Sequence, residues 1–394
     1  MRILLLAPQP FYEERGTPIA VRLVAEGLAA QNHVVDLLSF HEGQNIAMPG
    51  VRHLRIAAPP GVRHIPIGLS FGKLVCDLWM FFTAIRLMMR RRYDVIHAVE
   101  EAVFLALPLA MIGKAKLVYD ADSILSEQIA EKSASLAPLA RIVAWLEHIA
   151  CRRSDLIIAV CPAIMEAARR SAPSDRVHLL PDIAMEADGT PFEEDVRALA
   201  GGRPVALYIG NLEHYQGVGL LLSAMAVLPA RDRPVLLVIG GNREAIERHQ
   251  HEIDALGLAD DVLMLGPRPL GALSQYLSQG DILCSPRLKG RNTPMKIFSY
   301  MASGKPILAT RIESHTQVLD ADCAMLVTPD AHSLAAGLSR LSKDVALRTQ
   351  LGQAARLKAQ SHYSHAAFIE RLRRAYATIT PTQPPPASSV GAMV

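Results

Sequence analysis

At 394 residues the chain is long for one hydrophobic core and predicts two domains. Its apolar half and charged fifth are those of an ordinary globular protein, and a net charge of +3 with no aromatic-plus-basic stripe argues against nucleic-acid binding. The 5 cysteines are scattered, odd in number and without CxxC spacing, which fits a reducing compartment rather than a disulfide frame or zinc knot.

RILLLAP at the start is a strand: its apolar run is too short for a signal peptide and no small-residue cleavage site follows. The loop QPFYEERGTP comes next. Gly16 there can let the backbone approach a ligand, and Thr17-Pro18 can open a helix whose N-terminus binds an anion, although many strand-to-helix turns contain glycine. A helix over Ile19 to Gln31 leads to the strand HVVDLLSF. LVCDLWMFFTAIRLMMRRR, Leu74 to Arg92, is somewhat short for a membrane span and carries Asp77 and Arg86. It reads either as a buried helix or as a face resting on an anionic membrane surface.

The strand DVIHAV follows, with His97 inside it and Glu100 and Glu101 pointing into the loop beyond. KLVYDAD ends on Asp120 and Asp122, which can orient hydroxyls, accept a proton or equally cap the next helix. A helix over Leu139 to Arg153 and the strand DLIIAVC complete the first series. A polar linker, MEADGTPFEEDVRALAGG, separates it from a second: PVALYIGN, PVLLVIGG, DVLMLGP, DILCSPR, PILATR and AMLVTPD, with helices such as GLLLSAMAVL and PMKIFSYMA between. These continuous apolar runs predict parallel strands covered on both faces, hence an α/β protein of two doubly wound domains facing across a cleft.

In the second series YIGNLEHYQGV offers a ligand loop, with Asn211 and Gln216 as neutral donors. SPRLKGRNTPMKIFSYMASGKP gathers Arg287, Lys289, Arg291 and Lys296 around a helix expected to start at Thr293-Pro294, with Thr293 as N-cap. A lysine in a first turn opposes the helix dipole, so this cluster predicts a phosphate ligand. HExxH, nucleophile-elbow and Walker motifs are absent, and the histidines lack metal spacing.

The ordered set RGTP, YDVIHAVEE, LLPD, YIGNLEHYQGVGLLLSA, FSYMASGKPILAT and HYSHAAFIERLRRAYATI resembles the two-Rossmann, or GT-B, glycosyltransferases, specifically the large retaining family called family 4. The resemblance implies an acceptor domain over 1–183, a linker over 184–203 and a donor domain over 204–362. It further implies a helix over 363–380 crossing back to the first domain, before a tail over 381–394 that reads as disordered. It implies transfer from a nucleotide-sugar, with retention and without a metal or other cofactor, to a glycan or lipid-linked acceptor. The implied setting is cytoplasmic or peripheral on the inner face of a membrane; a non-catalytic binding or scaffold protein in polysaccharide assembly is the alternative. Relatives place an arginine and a lysine where this chain has Asn211 and Gln216, and two glutamates where it has Arg291 and Ser299. An acceptor-side histidine is common at the position of Asp122. Carried over, the donor site comprises Gly16, Thr17, Asn211, Gln216, Arg287, Arg291, Lys296 and Ser299. Asp122 and Asp120 are the expected catalytic groups, and Glu101 the acceptor contact.

Overall fold

The computed structural model describes residues 1–13, 16–63, 65, 70–132, 134–185 and 194–380, apart from the side chains of 131, 132 and 134. Glu14 and Arg15, residues 186–193 of the linker and the expected tail lie outside them.

In the first half the strands are β1 (Arg2–Ala7), β2 (Val34–Ser39), β3 (Val51–Arg55), β4 (Val95–Val99), β5 (Lys116–Ala121), β6 (Leu156–Ala159) and β7 (Val177–Leu179). They form one parallel sheet in the order β3-β2-β1-β4-β5-β6-β7. Its helices are α1 (Gly16–Ala30), α2 (Phe71–Arg90), α3 (Ala102–Gly113), α4 (Leu125–Lys132), α5 (Ala137–Arg153) and α6 (Pro162–Arg169). Successive side chains of β1 serve opposite faces. Leu4 and Leu6 join the core beneath α2, α3 and α5, whereas Ile3 and Leu5 join the core beneath α1.

The second half repeats the plan with β8 (Val205–Ile209), β9 (Val235–Ile239), β10 (Val262–Gly266), β11 (Ile282–Ser285), β12 (Ile307–Thr310) and β13 (Met325–Val327). This parallel sheet runs β10-β9-β8-β11-β12-β13. Its helices are α7 (Val218–Val227), α8 (Arg243–Ala255), α9 (Leu273–Gln279), α10 (Lys296–Ser303), α11 (Glu313–Thr316), α12 (Ala331–Lys343) and α13 (Val345–His362). The last helix, α14 (His365–Ala377), leaves this half. Its Phe368, Leu372 and Tyr376 are buried with α1 in the first half's core. A β-carbon on Gly27 of α1 would come within 2.9 Å of Ile369 and Leu372, so glycine permits this close approach.

Each sheet reverses strand order beside its first strand, between β1 and β4 and between β8 and β11. Ligands bind at such switch points, beyond the carboxyl ends of the strands.

Candidate active site

At the carboxyl end of the first sheet the chain concentrates acid. Asp120 ends β5 beside His97 of β4, with His97 Nε2 2.9 Å from Asp120 Oδ2. The other ring nitrogen, Nδ1, lies 2.7 Å from the Tyr376 hydroxyl of α14. With Nε2 donating to the carboxylate, Nδ1 is the acceptor and Tyr376 donates to it. Burial, then the charges of Asp120, Glu100 and Asp182, push the Asp122 carboxyl well above its ordinary range. Asp182 is raised to about 7 by burial and then Asp120. Glu100, held at a left-handed φ of 49°, is also raised, by burial and then by Glu101. Glu101 immediately precedes α3, makes no capping bond to it, and forms an ion pair with Lys73 of α2. Carboxyls that keep a proton toward neutral pH can exchange it with a sugar hydroxyl.

The second sheet presents the opposite charge. Lys296 opens α10 and aims its ammonium back at β8, where Nζ lies 4.0 Å from the Tyr208 ring centroid. Gly210 makes room for it, since a β-carbon there would sit 2.9 Å from Nζ. The ammonium is buried and has no hydrogen-bond partner among the described residues. Burial, then Arg287, lowers its pKa to about 7. Buried ions are ordinarily paired. Gln216 Oε1 and Thr293 Oγ1 are likewise buried without partners among the described residues.

Arg287 is buried within its own loop. Its Nε donates to the Lys289 carbonyl at 2.8 Å, and its terminal nitrogens donate to the Asn292 carbonyl at 2.9 Å and side-chain oxygen at 3.1 Å. It also lies over the Tyr215 ring at 5.3 Å. Beneath it, burial and then the two cations lower the His315 pKa to about 4, although a bond to the Thr310 carbonyl opposes the shift. Neutral His315 therefore donates from Nδ1 to that carbonyl at 2.7 Å and accepts from Ser285 Oγ at 2.9 Å.

The structure thus brings Lys296, Arg287 and Gln216 to the switch point of the second sheet, and Asp120, Asp122 and Glu101 to the ends of strands in the first. Other expected site residues have different placements. Arg291 reaches across to the first half, 2.5 Å from Glu127 of α4, and also lies 3.5 Å from Glu313. Ser299 is buried and its Oγ accepts from the Met185 amide at 3.2 Å. Asn211 is exposed, its side-chain oxygen 3.4 Å from the Glu213 amide. Gly16 and Thr17 begin α1, and a β-carbon on Gly16 would meet no atom within 4 Å, so steric need does not explain that glycine.

One local expectation is corrected. The helix begins at Lys296 rather than Pro294, because Thr293 Oγ1 makes no capping bond and a turn from Pro294 O to the Ile297 amide precedes it. Sequence reasoning also missed Lys73, Asp182 and His315. Only Asp182 carried a signal, as the last residue of LLPD.

A Glycosyltransferase Family 4 model matches residues 15–182, and a Glycosyl transferases group 1 model matches residues 190–358. The chain is 25% identical over 248 residues to an alpha-D-kanosaminyltransferase of Streptomyces kanamyceticus, a stretch covering 60% of this chain and 64% of that protein. It therefore spans less than two thirds of this curated relative's length. Sucrose-phosphate synthase from Thermosynechococcus elongatus superposes with a TM-score of 0.80 at 21% identity, over 96% of this chain and 98% of that one. Anabaena HepE in complex with UDP superposes with a TM-score of 0.72 at 17% identity, over 96% and 100%. At these identities the superpositions establish the fold.

Proposed function

The chain belongs to the GT-B glycosyltransferases of the family 4 kind, and from that premise we propose that it moves a sugar from a nucleotide-activated donor to a glycan or lipid-linked acceptor. The observation that carries this reading is the buried Lys296 ammonium, which has no hydrogen-bond partner among the described residues at the switch point of the second sheet. A donor diphosphate supplies such a partner, and Anabaena HepE, of like fold, has been solved with UDP. Lys296 and Arg287 neutralise the diphosphate in this reading, and no metal takes part. Gln216 and Asn211 add neutral hydrogen bonds, and the Gly16-Thr17 turn borders the diphosphate from the first half.

The acceptor hydroxyl lies against Asp122, whose carboxyl burial and then the charge of Asp120 hold toward its protonated form. Transfer proceeds with retention: the hydroxyl oxygen bonds to the donor's anomeric carbon as the bond to the nucleoside diphosphate breaks on the same face, and the hydroxyl proton passes to the departing phosphate oxygen. Catalysis then rests on positioning and charge stabilisation rather than on a protein nucleophile. Asp122→Asn should lower kcat by about 100-fold or more while the fold stays intact. Unaltered turnover would remove Asp122 from the reaction.

The donor assignment is tested by calorimetry with UDP, GDP, ADP and TDP. Lys296→Ala should weaken the nucleotide that binds by about 2 kcal/mol, roughly thirtyfold; an unchanged affinity refutes the assignment. A second reading, a binding module without turnover, is favoured by the engagement of Arg291 with Glu127 and of Ser299 with Met185. Nucleotide binding without sugar transfer to any glycan or lipid-linked acceptor would select it.

A further inference from the structure

One face of the first half is apolar and basic at once. Helix α3 packs between α2 and α5 over the same side of the sheet. The outer surfaces of these helices expose Phe71 (82%), Phe82 (58%), Met111 (69%) and Trp145 (62%), with Leu74 and Ile142 between them. Exposed cations accompany them: Arg86, Arg90 and Arg92 near the end of α2, and Arg141 on α5. The only acidic residues of the three helices are Asp77 and Glu147. Asp77 is buried, and Glu147 accepts bonds from the Leu125 amide and the Ser126 hydroxyl. The outer surfaces of these three helices therefore carry positive charge without an exposed carboxylate of their own. None of the helices is long and apolar enough to cross a membrane.

We propose that this face docks on an anionic lipid bilayer, with Phe71, Phe82 and Trp145 entering the headgroup region and the arginines meeting lipid phosphates. Large exposed apolar patches mark interaction surfaces, and a basic rim around one matches an anionic interface. The location is informative for substrate. Phe71 lies two residues from Lys73, whose ammonium pairs with Glu101 at the acceptor end of the sheet. Docking thus sets the acceptor cluster beside the headgroups and selects the lipid-linked class of acceptor, an inference that rests on the function proposed above.

The test uses the full chain and vesicles of phosphatidylcholine alone or mixed with phosphatidylglycerol. The protein should float with the mixed vesicles only, and its tryptophan emission should shift to the blue. Of the 2 tryptophans, Trp79 packs against the core, so Trp145→Phe should abolish the shift while retaining binding. Each cation near an anionic surface contributes roughly fivefold, so changing Arg86, Arg90 and Arg92 together to Gln should weaken binding by about a hundredfold at low salt. Phe71→Ser with Phe82→Ser should abolish flotation while leaving the nucleotide-induced rise in Tm unchanged. Absence of flotation with mixed vesicles, or flotation insensitive to both sets of changes, overturns the proposal. So does a concentration-dependent dimer that buries Trp145 and excludes vesicles. Nucleotide affinity is measured without vesicles, so failure of the donor reading is seen separately from failure of docking.

Discussion

Lys296 holds its charge where the folded protein opposes it, and this gives nucleotide binding a pH signature. With the free ammonium lowered to about 7, much of it is neutral at pH 8. A diphosphate favours the charged form and raises that pKa, so binding above pH 7 draws a proton from solution. Affinity should therefore be full below about pH 7 and fall as pH rises toward the pKa of the bound state. Calorimetry at pH 8 in two buffers of different ionisation enthalpy checks this, because the apparent heat must differ between them. Equal heats would mean that Lys296 does not meet the phosphate. The lysine was legible in the sequence because a first-turn cation beside three others needs a counter-charge. The role of His97 was not, because its partner Tyr376 is 279 residues away. Ser299 and Arg291 likewise stood out only as departures from relatives, while their bonds to Met185 and Glu127 come from tertiary structure.

Helix α14 shows how one element ties the chain's end to the chemistry at the other end of the fold. Besides its apolar contacts with α1, it places the Tyr376 hydroxyl on His97, which in turn orients Asp120. Tyr376→Phe leaves a buried ring nitrogen unsatisfied and should cost about 2 kcal/mol of stability. Urea unfolding reads this as a lower midpoint at constant slope. Should His97 position Asp120 as drawn, the same variant also displaces the pH profile of transfer. The long apolar strands and α14 itself were legible from periodicity. Strand β3 was not, because VRHLR is half polar and lies at the sheet edge; nor was β7, which has only three residues. The start of α10 was misplaced because Thr-Pro has a helix-opening pattern while the backbone there forms a turn.

At the scale of the whole molecule, polar contacts cross the cleft beside the apolar ones that α14, Leu270 and Met295 make with the first half's core. Arg291 pairs with Glu127, and Gln317 joins the Ala163 amide at 2.7 Å to the Arg291 carbonyl at 2.6 Å. The ion pair is partly exposed, so Glu127→Gln should change stability by less than about 1 kcal/mol. Its effect should appear in shape: small-angle X-ray scattering of the unliganded variant should give a larger radius of gyration than the parent. An identical radius would show that the pair does not hold the halves together. The crossing of α14 also matters during synthesis. The first half emerges from the ribosome lacking the helix that covers α1, and the 279 residues between His97 and Tyr376 take about 14 to 56 s at about 5–20 residues per second. Throughout that interval the nascent chain carries an open apolar strip on α1 and a His97 without its Tyr376 partner, and such exposed apolar surface is prone to aggregation. The acceptor end of the first domain is completed by Tyr376, translated 279 residues after the His97 it meets.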